Sequence, residues 1–204
     1  MKKKSVLLGT LIGVILITDI WTKRWALETL GDGTRLELFG GLLPLTLAFN
    51  RGAAFGISIG DDPRWFFIPV TVLALGLLSV LYAQAHEKDD LRLVSLALVM
   101  SGALGNLIDR VRWDRGVVDF LGPVDLGFMH WPIFNVADMA ISCGAVLLAV
   151  SFWMEEQRLA RTGPEGEEGA PKEAEEGSGM SRDGSRPMEG PAEPELDPSR
   201  AANR

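Results

Sequence analysis

The sequence predicts an integral membrane α-helical protein: four transmembrane helices, a small extracytoplasmic β element and a disordered C-terminal tail. Three observations carry this. Apolar runs long enough to cross a bilayer dominate the chain up to residue 154. All six tryptophans fall at or just beyond the ends of those runs, where an indole keeps its ring in acyl chains and its N–H wet. The net charge of −7 is uneven: residues 1–154 hold 13 Lys+Arg against 14 Asp+Glu, and residues 155–204 hold 7 against 13. No basic surface of the kind nucleic-acid binding needs is present. A single cysteine, Cys143, excludes an internal disulfide and a Cys-based zinc site, and His86 and His130 form no HExxH motif.

Taken in order, the first span runs over Val6–Trp25. Lys2, Lys3 and Lys4 ahead of it imitate a signal peptide, but no A-x-A site follows and Asp19, Trp21 and Lys23 come next, so it reads as an uncleaved helix. Residues 26–64 are too long for a plain connector. Short apolar runs, Leu36–Phe39 and Leu42–Phe49, alternate with Gly and Pro, which predicts a few β-strands at the membrane surface. The next spans are Trp65–Ala85, Leu93–Arg110 and Ile133–Met154, with a second loop over 111–132. From Thr162 onward the chain is Gly, Pro, Glu, Ala and Ser, with little to bury, and is expected to be disordered. The Lys/Arg flanks divide 7 to 8 between the two sides; charge density over the shorter inner loops favours both termini in the cytoplasm.

Polar residues inside the apolar runs locate the chemistry. Asp19 lies late in span one, Asn106 and Asp109 late in span three, and Asn135 and Asp138 early in span four. Span four runs back, so all five reach the same membrane face, as do the loops with Asn50 and Asp119. Asn106/Asp109 and Asn135/Asp138 are i, i+3 pairs, which puts each amide on its acid's helix face. Ionisable groups within spans are costly and are functional candidates by default. Asp138, deep in an apolar run, reads as functional. Asp19 with Lys23 (i, i+4) reads equally as a positioning group or an interfacial ion pair. Asp109 beside Arg110 reads as a structural acid held ionised by its neighbour, and Asp119, on spacing alone, as solvated loop. Asp125 and His130 read as loop residues, and Cys143 as a packing residue. Clustered carboxylates share protons, which serves metal-free aspartic hydrolysis and equally a proton relay; spacing does not separate these.

Five ordered blocks do. Asp19-Ile-Trp-Thr-Lys23, Asn50-Arg-Gly-Ala-Ala-Phe-Gly56, Gly105-Asn-Leu-Ile-Asp-Arg110, Val117-Val-Asp-Phe120 and Phe134-Asn-Val-Ala-Asp138 resemble lipoprotein signal peptidase, the bacterial signal peptidase II. One departure is Ile20, where the family often has Gln. The resemblance implies an intramembrane aspartic endopeptidase of four helices with an extracytoplasmic β-cradle, in the bacterial inner membrane. It covers roughly residues 5–154, within a peptidase domain read over 1–154; residues 155–204 are an acidic extension, read as a cytoplasmic and mostly disordered tail. The substrate would be a diacylglyceryl-modified prolipoprotein, cut just before its lipid-modified Cys; the inhibitor would be globomycin. The implied catalytic dyad is Asp119 and Asp138, which promotes Asp119 above its spacing-only reading. Asn106, Asp109, Arg110, Asn135 and Ala137 match supporting positions; Asp19, Lys23 and Asn50 match positions around the pocket or its local fold. Gly52 and Gly56 would let the first loop bend over the substrate. No cofactor, metal or nucleic-acid partner is expected, membrane lipids are the medium, and one chain holds the whole site, consistent with a monomer. The competing classes are a small proton-coupled transporter and a membrane assembly adaptor; against a relay, the second span offers no charged residue between Trp65 and Ala85.

Overall fold

The computed structural model of the chain describes residues 2–52 and 62–162. The expected tail disorder and the loop bend at Gly56 lie outside the described residues. Among the described residues, four helices are long and apolar enough to cross a membrane: α1 (Lys2–Thr29), α2 (Arg64–Gln84), α3 (Asp90–Arg112) and α4 (Val136–Thr162). Each matches an expected span, with differences at the ends. Helix α1 continues four residues past Trp25, because nothing between Ala26 and Thr29 breaks a helix and Ala26 and Leu30 are buried against the sheet. Helix α4 begins three residues later than the apolar run, at Val136, since the backbone of Phe134 pairs with Leu121 instead.

The two runs expected as strands are strands. β1 (Leu36–Leu38) and β2 (Leu43–Asn50) form a hairpin across a short helical turn at Phe39–Gly41. The second loop, read from the sequence only as a loop over 111–132, supplies three more: β3 (Val117–Leu121), β4 (Val124–Asp125) and β5 (His130–Trp131). Asp125 and His130 thus face each other in a small β4–β5 hairpin rather than lying in open loop. The main sheet is antiparallel in the order β1-β2-β3. Leu45 pairs with Leu121 and Ala48 with Asp119, so β2 carries one extra residue between them. Such a bulge bends the strand and re-aims side chains beside it.

Helix α3 is the axis of the bundle, packing against α1, α2 and α4. Its seam with α4 is built from small residues. A Cβ added to Gly102 would lie 2.2 Å from the Ala137 carbonyl oxygen, and one on Gly144 would lie 2.8 Å from that of Ser95. In lipid, helices gain little from apolar burial against one another, and close backbone approach through small residues is what holds them. The consequence is positional: the start of α4 sits directly on the late turns of α3.

Candidate active site

Polar residues from α1, α3, β3 and the start of α4 converge where the sheet meets the helix ends. The start of α4 is built as a reciprocal cap. Asn135 Oδ1 accepts from the Asp138 N–H at 2.9 Å, and Asp138 Oδ2 accepts from the Asn135 N–H at 3.1 Å. This is the capping-box arrangement, in which the two ends of the first turn satisfy each other's free backbone donors. Asn135 therefore precedes the helix and caps it, rather than sharing a helix face with Asp138 as the i, i+3 spacing suggested.

Asn135 also reaches the sheet. Its Nδ2 lies 2.6 Å from Asp119 Oδ1, 3.1 Å from Asn106 Oδ1 and 3.3 Å from the Val118 carbonyl. Paired hydrogen bonds between Phe134 and Leu121 hold this segment beside β3, which is why one amide touches both strand and helix. Asn106 completes the circuit by donating from Nδ2 to Asp138 Oδ1 at 2.7 Å. The Asn106 amide thus serves an acid on the facing helix, and not Asp109 one turn along. The Asn50 side chain is close enough to Asp119 to favour its ionised form, while its Oδ1 accepts the Gly52 N–H at 2.8 Å. Asp119 is 2% exposed, so it is no solvated loop residue. Burial first, and the nearby Asp138 charge second, push its carboxyl up to about 7 against the donors Asn135 and Asn50.

Beneath the two acids lies a second, ionic layer. Lys23 is 3% exposed, and its Nζ meets Asp19 Oδ2 at 2.7 Å, Asp109 Oδ2 at 2.9 Å and Asn106 Oδ1 at 3.2 Å. Two carboxylates and an amide oxygen thus surround the ammonium, the charge compensation a buried cation requires. Asp109 therefore pairs with Lys23 and not with the adjacent Arg110; its Oδ2 also accepts the Val118 N–H at 3.2 Å. Asp19 Oδ1 accepts the Ala137 N–H at 3.0 Å, satisfying a first-turn donor of α4 from another helix. Gly105 makes room, since a Cβ there would stand 2.8 Å from Asp19 Oδ2.

Arg110 stands apart from this layer. Its guanidinium lies 5.3 Å from the Phe67 ring centroid and within electrostatic reach of Asp138 and Asp119. Gly52, at φ +103°, abuts the same ring: an added Cβ would overlap it at 2.1 Å. Every site residue expected from the sequence is thus in this region. Sequence reasoning missed Phe67 and the backbone of Val118. An aromatic in an apolar span carries no distinguishing signal, and a backbone N–H carries no residue identity. Cys143 is away from the site, on an exposed face of α4.

Comparison with known proteins places the chain among relatives. The family model for signal peptidase (SPase) II matches residues 11–154. The lipoprotein signal peptidase of Geobacter sulfurreducens is 43% identical over 157 residues, 76% of this chain and 94% of that protein. That of Maridesulfovibrio salexigens is 40% identical over 153 residues, 74% of this chain and 97% of its own. A bacterial membrane enzyme solved by the in meso method at 2.3 Å resolution superposes with a TM-score of 0.65 at 28% identity, covering 74% of this chain and 90% of that one. With buried Asp119 and half-buried Asp138 both hydrogen-bonded to Asn135, and with relatives matched over nearly their full length, the chain belongs to the signal peptidase II family of peptidases.

Proposed function

We propose that the protein is an intramembrane aspartic endopeptidase that removes the signal peptide from diacylglyceryl-modified prolipoproteins, cutting N-terminal to the lipid-modified Cys with Asp119 and Asp138. The observation that carries this is a single residue, Asn135, hydrogen-bonded to both acids, one on a strand and one on a helix. Both oxygens of Asp138 already accept a donor, whereas Asp119 is the acid pushed up to about 7. Asp119 then holds the proton and Asp138 serves as base. Water gives a proton to Asp138 as its oxygen adds to the scissile carbonyl carbon, and Asp119 gives its proton to the carbonyl oxygen. Collapse returns a hydroxyl proton to Asp119, and Asp138 protonates the departing amine of the modified Cys. No metal or cofactor enters this cycle.

Asp19, Lys23 and Asp109 form the ionic floor that positions Asn106 and the start of α4; Asn50 and Gly52 hold Asp119 from the loop side. A diacylglyceryl anchor keeps the substrate in the membrane, so helix ends at the outer face suit both the scissile bond and access for water. On this reading both termini are cytoplasmic, residues 1–154 act as a monomeric peptidase domain in the bacterial inner membrane, 155–204 form a cytoplasmic tail, and globomycin competes for the dyad. The competing relay finds less support, because the acids gather at one end of the bundle.

The test is cleavage of a purified diacylglyceryl-modified prolipoprotein by wild type, Asp119→Asn and Asp138→Asn, each verified as folded in detergent. Cutting before the modified Cys by wild type, with losses of about 10²–10⁴-fold in both variants, is expected for acid–base groups. Variants that cut like wild type would remove the dyad.

A further inference from the structure

Helix α2 brings no charged side chain to the site; Arg64, at its first turn, is bound to Asp62. Its link to the acids is aromatic. Phe67 touches two arms that end on the dyad. One arm is Arg110, stacked at 5.3 Å from the ring centroid and facing Asp138 and Asp119. The other is Gly52, packed so tightly on the ring that no Cβ fits; its N–H is held by Asn50, whose side chain lies near enough to Asp119 to favour its ionised form.

Arg110 needs such a support. Its Nε is buried without a hydrogen-bond partner among the described residues, and its Nη1 reaches the Asn106 carbonyl only at 3.5 Å. The acid beside it in sequence, Asp109, is committed to Lys23. Few polar bonds therefore fix the guanidinium plane, and the ring face of Phe67 is the group against which it lies. On the other side, the ring sets where Gly52 stops, and with it the distance at which Asn50 reaches Asp119.

We infer that Phe67 is a positioning residue for the peptidase reaction, its ring holding Arg110 and the Asn50–Gly52 turn in register with the Asp119–Asp138 pair. This rests on the function proposed above. Phe67 touches no reacting atom in this role; it acts through Arg110 and Asn50. The ring matters, and not apolar volume alone, because a branched aliphatic side chain has neither a π face for a guanidinium nor a flat edge for a glycine.

The experiment compares wild type with Phe67→Leu, Phe67→Met and Phe67→Tyr on the same modified prolipoprotein. It measures kcat per folded enzyme, KM, melting temperature and the monodisperse fraction in detergent. The expected result is a drop in kcat of between about 3- and 30-fold for Leu and Met, the range a partly desolvated cation–π contact corresponds to. KM should stay within about twofold of wild type, and Tyr, which keeps the ring, should recover most of the loss. Leu and Met matching wild type, Tyr failing as badly as Leu, a rise in KM alone, or losses that follow the folded fraction would each overturn the inference. An inactive folded wild type would instead sink the peptidase reading, and this inference with it.

Discussion

The two ends of the helix bundle use the same residue types to opposite effect. At the end carrying the N-terminus, Lys3 meets Asp90 at 2.6 Å with both side chains more than half exposed. Lys4 caps α2 there through the carbonyls of Tyr82, Ala83 and Ala85, and Arg92 joins Glu155 across α3 and α4. These contacts tie helix ends together at a surface where Lys3, Asp90 and Glu155, each more than half exposed, retain water as an alternative partner. At the sheet end, Lys23 joins Asp19 and Asp109 with almost no exposure. There water is largely excluded, and the charges draw Asn106, Val118 and Ala137 into one network. Burial, and not the ion pair itself, turns a lysine and two aspartates into a scaffold for chemistry.

The sharpest way to break this contrast is one substitution made at both ends. Lys23→Met leaves two buried carboxylates uncompensated and should cost about 3–5 kcal/mol of stability, read as lost melting temperature or lost folded protein. A Lys23→Met variant as stable as wild type would show that the ionic floor does not hold the fold.

Next in size is a pH effect that belongs to the sheet end alone. Asp119 binds its proton up to about 7 in the folded chain, whereas an unfolded aspartate releases it near 3.8. Between those values the folded state holds the extra proton, so stability falls as pH rises through the window and levels off above it. Asp119→Asn should flatten that slope. Cleavage should likewise decline as pH climbs through about 7, when Asp119 loses the proton it donates. A rate that increases steadily to pH 9 would reverse the acid and base assignments.

The smallest effect sharpens the comparison from the other side. Lys3→Met removes an exposed pair and should leave the melting temperature and the cleavage rate within error. A shift comparable to that of Lys23→Met would mean exposure is not the deciding variable.

Much of this was legible beforehand. Four apolar runs located the helices, because span length answers to bilayer thickness and little else. The polar interruptions Asp19, Asn106, Asp109, Asn135 and Asp138 marked the end where the polar network forms, since such groups are too costly to leave unpaired in a membrane. Less was legible in the second loop. Val117–Leu121 is a short apolar run with a lone acid, and its status as a buried strand follows from pairing with β2 and Phe134.

What the sequence by itself determined was the inventory: span number and order, the end where charges gather, and the five blocks that mark the family. What only the tertiary structure decided was who pairs with whom. Spacing offered Asp109 to Arg110 and Asn106 to Asp109, yet Asp109 went to Lys23, Asn106 to Asp138, and Arg110 to the face of Phe67. Helical spacing describes neighbours on one helix, whereas a buried charge takes its partners from every element packed around it. Backbone donors such as those of Val118 and Ala137 are present at nearly every position, and only the fold selects which of them meet an acid.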